Sequence, residues 1–271
     1  MMRVLSNIVL CSILILLTAG CRIDSDNDSS NADAHNSHTP DLNAPLADYE
    51  LLFMGNSHSS QNELPQLVAT LLTNDGEGKS ANAFNAPGWS FLDGRLNDGV
   101  SYGFMQSREW THVILQAQKY STTGRYSYPT DAAKTWIQRA KQQNAIPIMF
   151  PEWPRRGNFE EGQRIHMLHM SIVLQEPACV APIGLAWDAA IALRPTINLH
   201  ASDGNHSNPT GALLSAYVFY GVISNKPVSD LEYLPSLPAN QSMQTFLRQV
   251  AADTLAAHPP CQYFQSPKLG F

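Results

Sequence analysis

Positive charge and cysteine are both scarce in this sequence. The scarcity of positive charge limits the classes of partner that the protein can bind. Lys and Arg number 17 against 23 Asp and Glu in 271 residues, so the net charge is −6. Proteins that bind nucleic acid gain much of their affinity from Lys and Arg side chains at the phosphates. This sequence has no cluster of basic residues, and we therefore expect no nucleic-acid partner.

The N-terminal region lacks a hydrophobic run long enough to span a bilayer. Its apolar run at residues 8–17 is shorter than the about 20 residues that a spanning helix needs. Arg3 precedes this run and the small residues Thr-Ala-Gly precede Cys21, which is the order of a cleaved signal peptide. We expect residues 1–20 to be that peptide, and an ordinary secretory signal or a short membrane anchor is the alternative.

This N-terminal segment resembles a bacterial lipoprotein signal. In that pattern the cysteine after a small residue is lipidated and becomes the mature N-terminus, so the resemblance implies a lipid anchor at Cys21. Arg22 follows the cysteine, and the lack of Asp there implies an outer-membrane or cell-surface position. The expected location is therefore the bacterial cell envelope, outside the cytoplasm, with the membrane as a partner through the anchor.

The next segment is poor in large apolar residues. Residues 24–48 consist mainly of Ser, Asn, Asp, Ala and His, a composition that cannot form a hydrophobic core. We predict a disordered tether over residues 21–48. The remainder, residues 49–271, is long enough for one well-buried domain, and no repeat or second linker divides it.

The chain has only four cysteines. Cys11 lies in the signal segment and Cys21 is the expected lipid site, which leaves Cys179 and Cys261 for the domain. Two remaining thiols in an oxidising compartment predict one disulfide. Two separately buried free cysteines are the alternative.

Short apolar runs alternate with helical patterns along the domain. The runs predict buried strands at 51–54, 113–115, 146–150 and 180–185, and the 3.6-residue periodicity predicts helices at 64–72, 131–143, 162–175, 210–223 and 243–257. Strands that alternate with helices predict an α/β fold, a three-layer α/β/α sandwich with a central parallel sheet. Active sites of such folds lie at the carboxyl ends of the strands.

A serine, a histidine and an aspartate fall where this fold places reactive groups. Ser57 follows the first predicted strand, and a strand-to-helix turn can present a nucleophile at the carboxyl edge of the sheet. Asp203 precedes His206 by three residues, in a loop that leads to Asn208, a candidate helix cap. Such a carboxylate can bind Nδ1–H of the imidazole and leave Nε2 free as a general base.

Four blocks of the sequence resemble the SGNH (GDSL-like) hydrolases. Three of them match the family pattern: Phe-Met-Gly-Asn-Ser-His-Ser at 53–59, a Gly-Asn-Ser variant, Asn-Ala-Pro-Gly-Trp-Ser at 85–90, and Asp-Gly-Asn-His at 203–206 with Asn-Pro-Thr-Gly at 208–211. The resemblance implies a flavodoxin-like fold with Ser57 as nucleophile, His206 as base and Asp203 as its orienting acid. It also implies an oxyanion hole that includes the backbone N–H groups of Ser57 and Gly88.

The third block departs from the family pattern. Gln-Ala-Gln-Lys at 116–119 stands where the family has Gly-x-Asn-Asp. Gln118 falls on the asparagine that donates its side-chain amide to the oxyanion, and glutamine ends in the same NH₂ group. Gln116 is the alternative donor.

Other residues with binding chemistry have simpler interpretations. His166 and His169 lie one turn apart on a predicted helix, but no third ligand stands beside them, so we expect no metal site. No organic cofactor is expected either. The aromatic residues Trp89, Trp153 and Tyr120 fall near strand ends, where they can form a sugar-binding platform or pack in the core.

The expected activity follows from the resemblance. It implies a serine esterase that cleaves acyl esters, especially acetyl esters, on small molecules or carbohydrate. Two alternatives remain at this stage: a surface-binding lipoprotein with this fold but without turnover, and an acyltransferase that acts on glycan hydroxyl groups.

Overall fold

A parallel five-stranded sheet forms the centre of the computed structural model, which describes residues 42–117, 126 and 128–264. The strands are β1 (Tyr49–Met54), β2 (Ala81–Asn85), β3 (His112–Leu115), β4 (Ile146–Met149) and β5 (Cys179–Val180), and they pair in the order β2-β1-β3-β4-β5. Every residue of β1 and β3 is buried, as expected for parallel strands covered on both faces.

Helices cover both faces of the sheet, which confirms the predicted three-layer α/β/α fold. They are α1 (Ser57–Ser60), α2 (Leu64–Thr73), α3 (Leu92–Arg95), α4 (Ser101–Gln106), α5 (Asp131–Gln142), α6 (Glu161–Val173), α7 (Ile183–Leu193), α8 (Pro209–Ser224) and α9 (Gln241–Ala257), with 3₁₀ turns at Gln61–Glu63 and Val228–Asp230. In the described part of the chain, no helix has both the length and the apolar character needed to cross a membrane.

Successive residues of β1 face two separate hydrophobic cores, because side chains alternate along a strand. Leu51 and Phe53 pack with α2, α7, α8 and α9, whereas Leu52 and Met54 pack with side chains from α3 to α6. The central strand is therefore held from both sides, and its carboxyl end is a rigid base for the loop that follows.

Helix α8 starts where the sequence predicts. The Asn208 side chain accepts a hydrogen bond of 3.0 Å from the Gly211 N–H, and Pro209 occupies the first turn. A Cβ at Gly211 would lie only 2.2 Å from the Leu199 carbonyl oxygen and 2.5 Å from the Trp187 ring. A glycine is thus required for α8 to approach the loop that carries Asp203 and His206.

Several elements differ from the prediction, two of them strands of the sheet. The expected strand at 180–185 is correct only at its first residue, because β5 ends at Val180 and α7 begins at Ile183. Pro182 lies between them and has no N–H for a strand ladder. Strand β2 was not predicted, since its small and polar residues, Ala-Asn-Ala-Phe-Asn, lack an apolar run.

The end of the predicted tether is attached to the domain. Arg108 forms a buried ion pair with Glu50, in which Nε and Oε2 are 2.5 Å apart. The same guanidinium donates to the carbonyl oxygens of Leu42, Ala44 and Pro45. Asn82 Nδ2 also donates to the Pro45 carbonyl oxygen at 3.0 Å, so residues 42–45 are attached to the domain by contacts that composition alone does not show.

Cys179 and Cys261 form a disulfide with an S–S distance of 2.04 Å, which confirms the predicted pair. Cys179 begins β5, and Cys261 follows α9. The Val180 N–H also donates to the Pro260 carbonyl oxygen at 2.8 Å. The bond therefore ties the segment after the last helix to the edge of the sheet.

Removal of this disulfide should destabilise the protein. The cysteines are 82 residues apart, and the chain-entropy model for such a loop gives about 4 kcal/mol. We expect a Cys179→Ala/Cys261→Ala variant to lose up to that much free energy of unfolding, measured by urea titration. Reductant should lower the stability of the wild type and leave the variant unchanged, and an equal free energy of unfolding in the two proteins would contradict the prediction.

Candidate active site

Three loops meet at the carboxyl ends of the parallel strands. The first follows β1 and carries Ser57, the second follows β2 and carries Gly88, and the third precedes α8 and carries His206. Two backbone hydrogen bonds extend the sheet into this region, from the Ala86 N–H to the Phe53 oxygen at 2.8 Å and from Gln116 N–H to the Met54 oxygen at 3.0 Å.

Ser57, His206 and Asp203 form a continuous chain of hydrogen bonds. Ser57 Oγ is 2.8 Å from His206 Nε2, and His206 Nδ1 is 2.5 Å from Asp203 Oδ2. Because the carboxylate can only accept, Nδ1 carries the proton of the neutral ring and Nε2 accepts the serine proton. The three residues predicted from separate motifs thus lie in the order that general-base activation of a serine requires.

The environment of Asp203 keeps its carboxylate charged. Besides the bond from His206 Nδ1, Asp203 Oδ1 accepts the backbone N–H groups of Asn205 at 2.9 Å and His206 at 3.0 Å. These bonds, the His206 side chain first, hold the pKa of Asp203 well below its usual range. A carboxylate with a lowered pKa next to Nδ1 would stabilise an imidazolium at His206.

The nucleophile turn is held by Asn56. Its side-chain oxygen accepts the His58 N–H at 3.0 Å and caps α1, and its carbonyl oxygen accepts the Ser59 hydroxyl at 2.7 Å. A Cβ at Gly55 would lie 2.3 Å from Gln116 Oε1. Glycine is needed at position 55 because a side chain would clash with Gln116, and asparagine is needed at position 56 because its side chain caps α1.

Gln116 is a framework residue in this structure. Its Oε1 accepts the Asn56 N–H at 3.0 Å, and its Nε2 donates to Asn56 Oδ1 at 3.0 Å and to Glu152 Oε2 at 2.8 Å. Both amide hydrogens are engaged in a side chain that is only 1% exposed. Gln116 was the alternative oxyanion donor in the sequence analysis. Its NH₂ group already donates both hydrogens to other side chains.

The candidate oxyanion donors lie on two of the loops. Gly88 has a φ of +74°, a conformation that favours glycine. Neither the Ser57 N–H nor the Gly88 N–H donates a hydrogen bond to another described residue, so both are available to a developing oxyanion. Gln118, the predicted side-chain donor, lies outside the described residues and its role stays a prediction.

The aromatic candidates separate into buried and exposed residues. Trp153 is 1% exposed, donates from Nε1 to the Asn205 carbonyl oxygen at 2.8 Å and stacks on Trp187 at 4.8 Å. It supports the loop of the base and offers no sugar platform. Trp89 is 66% exposed beside Gly88, whereas Tyr120 lies outside the described residues.

His166 and His169 are both buried on α6. His169 Nδ1 lies 2.9 Å from the Ile165 carbonyl oxygen, and burial lowers the pKa of each histidine to about 4. Among residues 42–117, 126 and 128–264, no group of three His, Cys, Asp or Glu side chains is arranged to hold a metal ion.

Comparison with solved structures identifies this architecture. A protein from Slackia heliotrinireducens, described as an SGNH hydrolase, superposes with a TM-score of 0.50 at 22% identity, over 64% of this chain and 97% of that one. The chain has the SGNH-hydrolase fold. A DUF4886 family protein from Bacteroides uniformis superposes with a TM-score of 0.62 at 14% identity, over 78% of this chain and 95% of that one. No protein-family model and no curated protein matches the sequence.

A buried carboxylate at this site was not predicted from the sequence. Glu152 follows β4 by three residues, is 3% exposed, and accepts from Gln116 Nε2. Its Oε2 also lies 3.7 Å from His58 Nδ1. An acidic residue just after a buried strand was the available signal, since buried carboxylates require partners.

Substitutions at Gln116 and Gln118 should show which side-chain amide is structural and which one donates to the oxyanion. Gln116→Ala removes the hydrogen bonds from Gln116 to Glu152 and Asn56, so we expect a loss of about 1–3 kcal/mol in the free energy of unfolding together with a lower kcat. Gln118→Ala should lower kcat by roughly 10²–10³ at unchanged stability. Urea unfolding and ester hydrolysis measure the two effects, and a fully stable Gln116→Ala variant with a lost kcat would return the donor role to Gln116.

Proposed function

We propose that the protein is a serine esterase that cleaves acyl esters, with acetyl esters on carbohydrate as the substrate class. The observation that carries this proposal is the hydrogen-bond chain from Ser57 through His206 to Asp203, with distances of 2.8 Å and 2.5 Å. A catalytic triad is recognised by this geometry and these roles rather than by sequence position.

The proposed reaction has two halves. His206 Nε2 removes the Ser57 proton as Oγ attacks the ester carbonyl, and the imidazolium then protonates the departing alcohol. Water attacks the acyl-serine by the same route and releases the acid. The backbone N–H groups of Ser57 and Gly88, with the Gln118 amide, hold the oxyanion of each tetrahedral intermediate.

The surface around the triad supports a polar, extended substrate. Trp89 presents an exposed ring next to the proposed donor Gly88, and aromatic rings have an apolar face and a polar edge that suit sugars. An open cleft of about 510 Å³ adjoins Asp203 and is lined by Arg155, Arg156, Gly157, Asn158 and residues 202–205. A glycan chain fits such a surface better than a long acyl chain, which needs an apolar tunnel.

The proposed location follows from the N-terminal segment. We propose a lipid anchor at Cys21, which places the domain in the cell envelope outside the cytoplasm. Acylated surface glycans are accessible there. The disulfide between Cys179 and Cys261 is consistent with an oxidising compartment.

Loss of any triad residue should abolish or strongly reduce ester hydrolysis. We expect Ser57→Ala and His206→Ala to lower kcat by on the order of 10⁶, and Asp203→Asn by on the order of 10⁴, because the carboxylate orients and charges the base without accepting the proton. Melting temperatures should change little. An aryl acetate assay measures the rates.

A fluorophosphonate probe adds a test that needs no substrate. An activated Ser57 becomes labelled, and Ser57→Ala provides the matched control. Near wild-type turnover in Ser57→Ala would overturn the assignment, and an unlabelled wild type would favour a binding protein without turnover. Product analysis with and without an acceptor sugar distinguishes hydrolysis from acyl transfer.

Trp89 tests the carbohydrate part of the proposal. Stacking on a sugar ring is worth about 0.5–1.5 kcal/mol if it resembles aromatic pairing, which corresponds to a roughly 2- to 10-fold change in affinity. We expect Trp89→Ala to raise KM by that factor for an acetylated oligosaccharide and not for a small aryl acetate. Tyr263→Ala, an exposed aromatic after α9, is the control, and equal effects on both substrates would contradict sugar stacking.

A further inference from the structure

Arg95 is a buried cation beside the candidate active site. It ends α3 and is 1% exposed. Its guanidinium bonds to no carboxylate within the described residues, and burial lowers its pKa, with a smaller opposing effect from Asp98. A buried guanidinium is costly unless all its N–H groups are bonded, so the positions of its partners are informative.

The guanidinium of Arg95 uses all five of its N–H groups. Four of the five bonds go to main-chain carbonyl oxygens, and the fifth goes to a hydroxyl. Nη2 donates to Gly55 at 2.7 Å and Gly88 at 2.8 Å, Nη1 to Pro87 at 3.0 Å and to Ser101 Oγ at 3.0 Å, and Nε to Ser90 at 3.2 Å. One side chain thus connects the nucleophile turn to the loop after β2.

The bond to Pro87 determines where the Gly88 N–H points. The Pro87 carbonyl and the Gly88 N–H belong to the same planar trans peptide, so they point in opposite directions. Arg95 holds the carbonyl on one side, which directs the N–H to the other side. Gly88 has a φ of +74° and no Cβ, so its own backbone offers little resistance to rotation of this peptide.

The bond to Gly55 fixes the other half of the site. The Gly55 carbonyl belongs to the same peptide as the Asn56 N–H, which donates to Gln116 Oε1 at 3.0 Å. Nη2 of Arg95 binds this carbonyl and that of Gly88 at the same time. The guanidinium of Arg95 therefore fixes the position of Ser57 relative to the Gly88 N–H.

We propose that Arg95 is a positioning residue for the oxyanion hole: it orients the Pro87–Gly88 peptide so that the Gly88 N–H faces the carbonyl oxygen of the ester that Ser57 attacks. This inference rests on the proposed esterase function. Arg95 itself touches no reacting atom, because its five N–H groups are already bonded to the protein.

Rates and stabilities of Arg95 variants test the proposal. Arg95→Ala should lower kcat for an aryl acetate by about 10²–10³, the effect of losing one oxyanion donor, and should leave KM within about threefold. Guanidinium ion added to this variant should restore part of the lost kcat. Arg95→Lys should lower kcat by at least about tenfold, because an ammonium cannot reproduce the planar five-donor arrangement.

Arg108→Lys is the matched control. Arg108 is also buried and also binds main-chain carbonyl oxygens, but its partners are Glu50 and residues 42–45 at the far end of β1. This variant should lower the melting temperature and leave the kcat of the folded protein at the wild-type value. If Arg108→Lys loses stability and keeps its kcat, lost stability does not explain a lower kcat in the Arg95 variants.

The outcomes separate this inference from the proposed function. A wild type that neither hydrolyses esters nor reacts with the fluorophosphonate overturns both. An active wild type with an equally fast Arg95→Ala, or with a slow variant that guanidinium does not restore, overturns only the role of Arg95. If Arg95→Ala does not fold, Arg95→Lys decides, and a wild-type kcat in that variant overturns the proposal.

Discussion

The peptide bond between Gly55 and Asn56 is the point on which the site depends. Its carbonyl accepts from Arg95 Nη2 at 2.7 Å, and its N–H donates to Gln116 Oε1 at 3.0 Å. One planar unit therefore joins the loops that follow β1, β2 and β3. Because a peptide cannot twist without a large energetic cost, a shift at either partner moves the serine that follows it.

The base is held by a different set of contacts. Trp153 donates to the Asn205 carbonyl, Arg156 donates from Nη2 to the Ala201 carbonyl at 2.7 Å, and the Arg156 N–H donates to the Gly204 carbonyl at 2.8 Å. Trp153 and Arg156 both follow β4, and Trp153 packs in the core that contains α7 and α8. The loops of Ser57 and His206 also contact each other beside the bond between these two residues: the His58 ring lies 4.8 Å from the His206 ring, and Asn62 Nδ2 donates to the Ser207 carbonyl oxygen at 2.8 Å.

The fold and the pairing of Asp203 with His206 were accessible from the sequence because both rest on local patterns, whereas Ser57, 149 residues from His206, was chosen by its place after the first strand and by a family motif. Asp203 and His206 are three residues apart, and a short loop can bring them together without information from elsewhere. The roles of Gln116 and Trp153 were out of reach, since each depends on a partner about 50 to 60 residues away in the chain. β5 was too long in the prediction because apolar residues continue past Pro182 into a helix, and periodicity does not separate a buried strand from a buried helix over so few residues.

Under the proposed esterase function, the altered third block is a rearranged site and not a decayed one. Gln116 accepts the Asn56 N–H and donates to Glu152. Glu152 and Arg95 are two ionisable side chains buried beside the candidate active site. Apolar residues of similar volume often stabilise a protein as well as such groups do, or better. Fold stability therefore gives no reason for this arrangement. The proposed function gives a reason, because oxyanion stabilisation depends on donors that are already in place when charge develops. It requires a fixed Ser57 turn and a fixed Gly88 peptide.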